Sequence, residues 1–172
     1  MIKKIKFKNL FLIKNKSYFD KRGYFKELIR ENQLKLRFPF KVMSYSKKNV
    51  IRGLHLQSKN SQGKYVTVLK GKVFDVVVDL RKNSKTYGKI FTSILSEKNS
   101  TSIYVPPGFA HGFCGLSNEN YVIYSCTKYR DKNNEVGIMY NDVDLKIKWP
   151  VKKPIISNKD KKNLSFKEFK KI

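Results

Sequence analysis

The chain is poor in the residues from which metal and redox centres are built. Its 172 residues include only two cysteines and two histidines. Cys114 and Cys126 lack the short spacing of a metal-binding or redox pair, so a reducing compartment, the cytoplasm, is the expected location. His55 and His111 stand alone rather than as His-x-His, and no carboxylate-rich calcium loop takes their place. No metal site is expected. The Gly-x-Gly-x-x-Gly and Gly-x-x-x-x-Gly-Lys phosphate loops are missing, as is the Gly-x-Ser-x-Gly elbow of serine hydrolases. Nicotinamide, P-loop nucleotide or any other cofactor is not expected. Apolar runs are too short for a helix to span a bilayer, so no membrane partner is expected. The charged segment Met1–Lys6 leads into no apolar stretch of the kind a secretory leader needs.

Acidic residues are scarce as well: 13 Asp plus Glu face 38 Lys plus Arg, a net charge of +25. Such an excess raises the question of a polyanionic partner. Only six of the cations are arginines (22, 30, 37, 52, 81 and 130), and Arg is the side chain that reads phosphates and base edges in bidentate fashion. No nucleic-acid motif accompanies the lysines. The favoured reading is a solvated lysine-rich surface with no nucleic-acid partner, and a polyanion-binding protein stands as a distant alternative.

What the chain does have is material for a core. Hydrophobic residues make up 40% and aromatics 13%, too apolar for a disordered chain, and the length suits one domain over residues 1–172. Residues 159–172 read as a lysine-rich tail. Val73–Leu80 is the clearest strand, with Phe74, Val76, Val78 and Leu80 on one face and Val73, Asp75, Val77 and Asp79 on the other, so its two carboxylates are expected to point together. Further strands are expected at Lys64–Leu69, Ile90–Leu95, Thr101–Val105, Tyr121–Thr127 and Ile147–Trp149, separated by turn residues such as Lys70-Gly71 and Pro106-Pro107-Gly108. One helix is expected, over Phe25–Leu36. Many short strands with little helix predict a mainly β sandwich or barrel.

With metals and cofactors set aside, acid–base chemistry remains. His55 alternates with Leu54 and Leu56 and shares its face with Gln57, so it can look into a polar cavity. Arg52 stands close by, and a neighbouring cation favours the neutral imidazole that a base requires. His111 offers a second imidazole, although a histidine among apolar neighbours is commonly a hydrogen-bonded core group. Tyr121, Tyr124 and Tyr129 cluster in one strand region, and Tyr124 shares its face with Cys126 and Lys128, a cation that would lower a phenol pKa.

The motifs taken together resemble a family. Arg52-Gly-Leu-His55-x-Gln57, Gln62-Gly-Lys64, Val73 to Arg81, Pro107-x-Gly-x-Ala-His111-Gly-Phe113, Glu135-x-Gly-Ile, Trp149-Pro150 and Ile156-Ser-x-x-Asp160 are similar, in order, to the dTDP-4-dehydrorhamnose 3,5-epimerases. Asp20-x-Arg22-Gly-x-Phe25-x-Glu27 extends the likeness towards the N-terminus. The resemblance implies a cupin-like jelly-roll β-sandwich, a homodimer, and cofactor-free epimerisation at C3 and C5 of a nucleotide-diphosphate-linked 4-keto-6-deoxy sugar. It implies His55 as the base, Asp160 as its dyad partner, Tyr124 as the acid on the opposite face and Lys64 as the cation beside the enolate. Arg22 and Arg52 would meet the diphosphate, Tyr129 would pack on the nucleobase, and Glu27, Gln57 and His111 would line the substrate. Epimerisation at C3 alone, or a 3,4-ketoisomerisation of another nucleotide sugar, stays open. Phe40 and Val42 depart from the family, which tends to carry substrate-contacting Gln and Asn there, and Arg130 stands where many members have a further Tyr.

Overall fold

The computed structural model describes residues 1–171. Among the described residues thirteen strands form: β1 (Ile2–Lys4), β2 (Phe11–Lys14), β3 (Ser17–Asp20), β4 (Gly23–Lys26), β5 (Phe40–Lys47), β6 (Ile51–Gln57), β7 (Lys64–Lys70), β8 (Lys72–Asp79), β9 (Ile90–Ser96), β10 (Thr101–Val105), β11 (Phe109–Gly115), β12 (Glu119–Cys126) and β13 (Glu135–Gly137). Two short helices, α1 (Glu31–Leu34) and α2 (Phe166–Phe169), complete the inventory with 3-10 turns at 132–134 and 160–162. No helix among the described residues is long and apolar enough to cross a membrane.

Two sheets stack face to face. One has the order β1-β2-β10-β7-β12-β5 and the other β13-β6-β11-β8-β9, while β3 and β4 form a separate hairpin. Alternation decides which residues fill the space between the sheets. Val66, Val68, Val122, Ile103 and Val105 from the first sheet meet Val73, Val77, Leu95, Phe109 and Phe113 from the second. Burying a side chain of this size is worth about 1.5–3 kcal/mol. Antiparallel order, short strands and this inter-sheet core make a mainly β sandwich, as the strand pattern predicts, of the cupin-like jelly-roll kind that the resemblance implies.

Strand β8 shows why its sequence is almost continuously apolar. Val73 and Val77 face the inter-sheet core, whereas Val76 and Val78 face a second core beneath Ile138, Leu145, Phe166 and Phe169. Within the lysine-rich stretch that follows Lys159, Phe166 and Phe169 are docked in this second core. Ser165 caps α2 in a capping box with Glu168, and Phe166 and Phe169 pack onto the sheet. The two β8 carboxylates also part company. Asp75 meets His111, and Asp79, at the strand end, is taken by Arg81 at 2.7 Å.

Two further expectations are corrected. The helix expected over Phe25–Leu36 is only the single turn α1. Phe25 is paired with Tyr18 in the hairpin, Lys35 takes a left-handed conformation with φ 53°, and the Glu31 carboxylate accepts from the Phe38 N–H rather than supporting a longer helix. Ile147–Trp149 is not a strand. Trp149 donates its Nε1–H to the Tyr140 carbonyl and packs edge-on against Phe74, so this segment covers β8 without pairing.

Candidate active site

Three cross-strand rows floor the cavity between the sheets. Register places Lys64, Cys126 and Phe40 in one row across β7, β12 and β5, then Val66, Tyr124 and Val42, then Val68, Val122 and Ser44. The opposite wall comes from β6 and β11, where His55 lies directly across from His111. Their strands pass unusually close at Gly53 and Gly112, since a Cβ on Gly53 would stand 2.7 Å from the Gly112 Cα. The Arg52-Gly53 and His111-Gly112 motifs thus specify a close approach of paired strands, at the register shift between His111 and Phe113, as well as side chains. The ring centroids of His111 and Tyr124 are 6.0 Å apart, edge to face, which fixes the distance across the cavity at its inner end.

His55 and Asp160 form a dyad. Asp160 arrives from the 3-10 turn after Lys159, with its own N–H donating to Ser157 Oγ. Its Oδ1 is 2.5 Å from His55 Nε2 and its Oδ2 accepts from the Gly53 N–H. Burial alone would raise the Asp160 pKa. The His55 hydrogen bond and charge and the Gly53 N–H outweigh it, and the group is held below the ordinary carboxylate range. An ionised Asp160 accepts the Nε2 proton and leaves the His55 Nδ1 lone pair free to act as a base.

Tyr124 behaves differently from the expectation that a cation would lower its pKa. Enclosure raises the phenol well above its ordinary value, outweighing the downward pull of Ser44 and Arg52, and Asp75 adds to the rise. The phenol therefore keeps its proton, which suits an acid. Lys64 lies in the neighbouring row and donates to the His55 carbonyl at 3.2 Å, while burial pulls its pKa down despite Cys126 and Glu135. Arg52 donates through Nε to Ser46 Oγ at 2.8 Å and through Nη2 to the Tyr45 carbonyl. His111 is bound to Asp75 at 2.7 Å, and the other Asp75 oxygen, Oδ1, is buried without a partner, as is Ser44 Oγ on the cavity floor.

The cavity has two lobes that share His55, Lys64, Tyr124, Arg130 and Glu135. One, of about 290 Å³, is polar and reaches Ser44, Arg52, His111, Lys159 and Asp160. The other, of about 150 Å³, is walled by Phe40, Val42, Leu56 and Cys126 with Gln57 and Gln62. Larger surface hollows near Arg81, about 490 Å³, and near Trp149, about 470 Å³, hold no histidine, so volume does not mark the chemistry here. Among the described residues no cluster of three or more His, Cys, Asp or Glu is placed to hold a metal ion.

Of the residues singled out from sequence, His55, Lys64, Tyr124, Asp160, Arg52, Gln57 and His111 meet around this cavity. Gln57 lines it with a spent amide, donating to the Asn60 carbonyl and accepting from the Asp131 N–H. Three do not reach it. Arg22 is 85% exposed and pairs with Asp20 beside the β3–β4 turn, and Glu27 pairs with Arg30 on another surface. Tyr129 is 68% exposed and packs on Phe40 outside the cavity, because the inward position belongs to its neighbour Arg130. The sequence reading passed over Glu135 and Lys159. Glu135 Oε2 accepts from Arg130 at 2.6 Å and Lys159 at 2.9 Å, and these cations hold its carboxyl below the ordinary range against the upward push of burial. Their signal was position alone, one opening the Glu-x-Gly motif and the other preceding Asp160.

A base on one sheet, a protonated phenol on the other and cations around the gap are suited to moving protons on opposite faces of one bound carbon skeleton. The comparisons agree. Residues 4–168 match the family model described as dTDP-4-dehydrorhamnose 3,5-epimerase. The enzyme of that name from Methanothermobacter thermautotrophicus is 44% identical over 158 residues, 87% of this chain and 85% of that one. The Shigella flexneri counterpart is 39% identical, covering 88% of each chain. The Legionella pneumophila dTDP-6-deoxy-D-glucose-3,5-epimerase, crystallised with dTDP-4-keto-L-rhamnose, superposes with a TM-score of 0.91 at 40% identity over 96% of this chain and 92% of that one. By sequence, fold and cavity alike, the chain belongs to the dTDP-4-dehydrorhamnose 3,5-epimerase family.

Proposed function

We propose that this chain epimerises C3 and C5 of a dTDP-linked 4-keto-6-deoxy sugar, supplying a deoxysugar such as dTDP-4-dehydro-L-rhamnose. The observation that carries the reading is the placement of base and acid on opposite sheets across one cavity. A ketone at C4 acidifies the hydrogens on C3 and C5. His55 Nδ1 takes such a proton, with Nε2 anchored on ionised Asp160. Lys64 stands beside the site as the cation for the developing enolate oxygen, and Tyr124 returns a proton from the other face, which inverts the centre. Arg52 and Lys159 in the polar lobe suit the diphosphate.

A homodimer completes this reading. The β3–β4 hairpin carries Tyr18, Phe19, Tyr24 and Phe25 in exposed positions, and the edge strand β5 exposes Met43 and Tyr45. Aromatic patches of this kind mark an interface. Docking of a second copy would cover them and carry that copy's Arg22 and Glu27 towards a cavity they do not reach in their own chain. Two buried free cysteines fit a reducing cytoplasm.

Proton NMR of dTDP-4-keto-6-deoxyglucose with the protein in D₂O tests the chemistry. Loss of both the C3 and C5 proton signals is expected. Loss of C3 alone reduces the reaction to a single epimerisation, and no exchange overturns the substrate. A Phe19→Asp, Phe25→Asp variant is expected to sediment as a monomer.

A further inference from the structure

The reaction read above inverts two carbons of one sugar, yet Tyr124 is the phenol that lines the cavity. A phenol carries a single proton to give. Double inversion therefore empties Tyr124 at the first centre and requires it to be filled again before the second, while the sugar still occupies the site. Enclosure holds the Tyr124 pKa well above its ordinary value, so the phenolate left behind takes a proton from the first donor within reach.

Its neighbours differ in what they can supply. Lys64 is bound to the His55 carbonyl and stands as the cation for the enolate. His111 meets the Tyr124 ring edge to face and is tied to Asp75 through Nε2. Asp75, Arg52 and Cys126 act on the phenol at a distance, through charge, whereas Ser44 acts through a hydroxyl within hydrogen-bonding reach. Strand register explains that reach. Ser44 pairs with Val122 and Tyr124 with Val42 across β5 and β12, so the two side chains are diagonal neighbours on one face of the sheet. Both line the polar lobe. The Ser44 Oγ is buried, and no aligned hydrogen bond engages it in the resting structure. A buried hydroxyl left free in this way costs stability, so packing does not account for it, and its rotor is at liberty to turn to the phenol.

We propose that Ser44 recharges Tyr124 between the two inversions, its O–H giving a proton to the phenolate while its oxygen takes one from water in the polar lobe. The hydroxide so formed is neutralised by the proton that His55 sheds, which returns every group to its starting state. Water has access there, because the lobe opens at the exposed side chains of Arg52 and Lys159. Ser44 acts through Tyr124 and is a positioning residue for its proton. The assignment rests on the double-epimerase reading above and deepens it.

The test is a proton-NMR time course of dTDP-4-keto-6-deoxyglucose with the full-length protein and its Ser44→Ala, Ser44→Thr and His111→Asn variants, alongside urea unfolding of each. In the Ala variant the first inversion is expected within about threefold of the parent and the second about tenfold slower, so that singly inverted sugar builds up. The Thr variant keeps a hydroxyl and is expected to bring both rates back to within about threefold of the parent. The Ala variant should unfold at the parent's urea midpoint or above it, since it loses a hydroxyl that no bond engages. Equal slowing of both inversions by Ser44→Ala makes Ser44 part of the cavity's shape and overturns the proposal. Parental rates for both overturn it as well. Build-up in His111→Asn without build-up in Ser44→Ala gives the task to the imidazole instead. A parent that inverts one centre only, or none, defeats the double-epimerase reading itself, and the role of Ser44 falls with it.

Discussion

Both histidines of this chain face the same cavity from adjacent strands, and each is paired with an aspartate, yet the two pairs are built for different ends. His55 is 24% exposed and its Asp160 arrives from a turn 105 residues further along the chain. His111 is 3% exposed and its Asp75 belongs to β8, the neighbouring strand of the same sheet. The first dyad opens its ring to the cavity and has its carboxylate outside the sheets. The second is locked into the wall behind Tyr124. An imidazole–carboxylate pair thus becomes a base or a strut according to whether the second ring nitrogen is left with room in front of it.

That contrast can be broken by experiment. The largest effect is expected for His55→Ala, with C3 and C5 proton exchange falling about 10²–10⁴-fold in D₂O. Equal losses from His111→Asn would erase the distinction. Next is Asp160→Asn, which leaves the imidazole in place without its anchoring anion and is expected to cost about 10²-fold in steady-state rate. Tyr124→Phe sharpens the comparison differently. Solvent exchange at the substrate carbons should persist while net inversion, followed by NMR, falls about 10²-fold, since abstraction from the His55 face survives and reprotonation from the other does not. His111→Asn is expected to act on stability first, with about 1–3 kcal/mol lost in urea unfolding because Asp75, already carrying one unpaired buried oxygen, loses its remaining partner.

Asp79, on the same strand as Asp75, gives a comparison within β8. Burial pushes its carboxyl upward, but Arg81, Ser84 and Thr86 donate to it and bring it down to about 2. Because the folded-state pKa lies below the ordinary value of 3.8, the ion contributes stability at pH above about 4, and that contribution disappears as the pH falls towards 2. Asp79→Asn is expected to cost about 2 kcal/mol at neutral pH and to flatten the acid limb of the unfolding curve in that window.

Much of the sandwich was legible in the chain. The strands β7 to β10 and β12 follow from period-two alternation broken by Gly, Pro and Asn turns, and Thr101–Val105 has the expected bounds, whereas β11 was not expected because it is buried at every position and shows no alternation. The amphipathic spacing of 25–36 misled because Phe25 found a cross-strand partner in Tyr18, a long-range preference invisible to local periodicity. The site was legible where a motif carried it: Arg52, His55 and Lys64 lie within one short stretch. Glu135 and Lys159 escaped because a place in a motif, for Glu135, or beside Asp160, for Lys159, says nothing of which side chains a carboxylate or a lysine will meet. Tyr129 lies outside the cavity of its own chain because it and Arg130 stand side by side after β12 ends, where alternation does not say which turns inward.

The sequence by itself determined the strand pattern, the apolar faces of β8 and the types of group available for catalysis, since these depend on residue identity and spacing along the chain. Only the tertiary structure decided which groups meet. It brought Asp160 to His55 through a docked C-terminal turn, set Tyr124 on the opposite sheet, gave Asp75 to His111 and Asp79 to Arg81, and turned Arg130 inward in place of Tyr129. These outcomes depend on strand register, sheet stacking and the competition of charges for buried partners, and each joins residues whose separation in sequence carries no information about their distance in space.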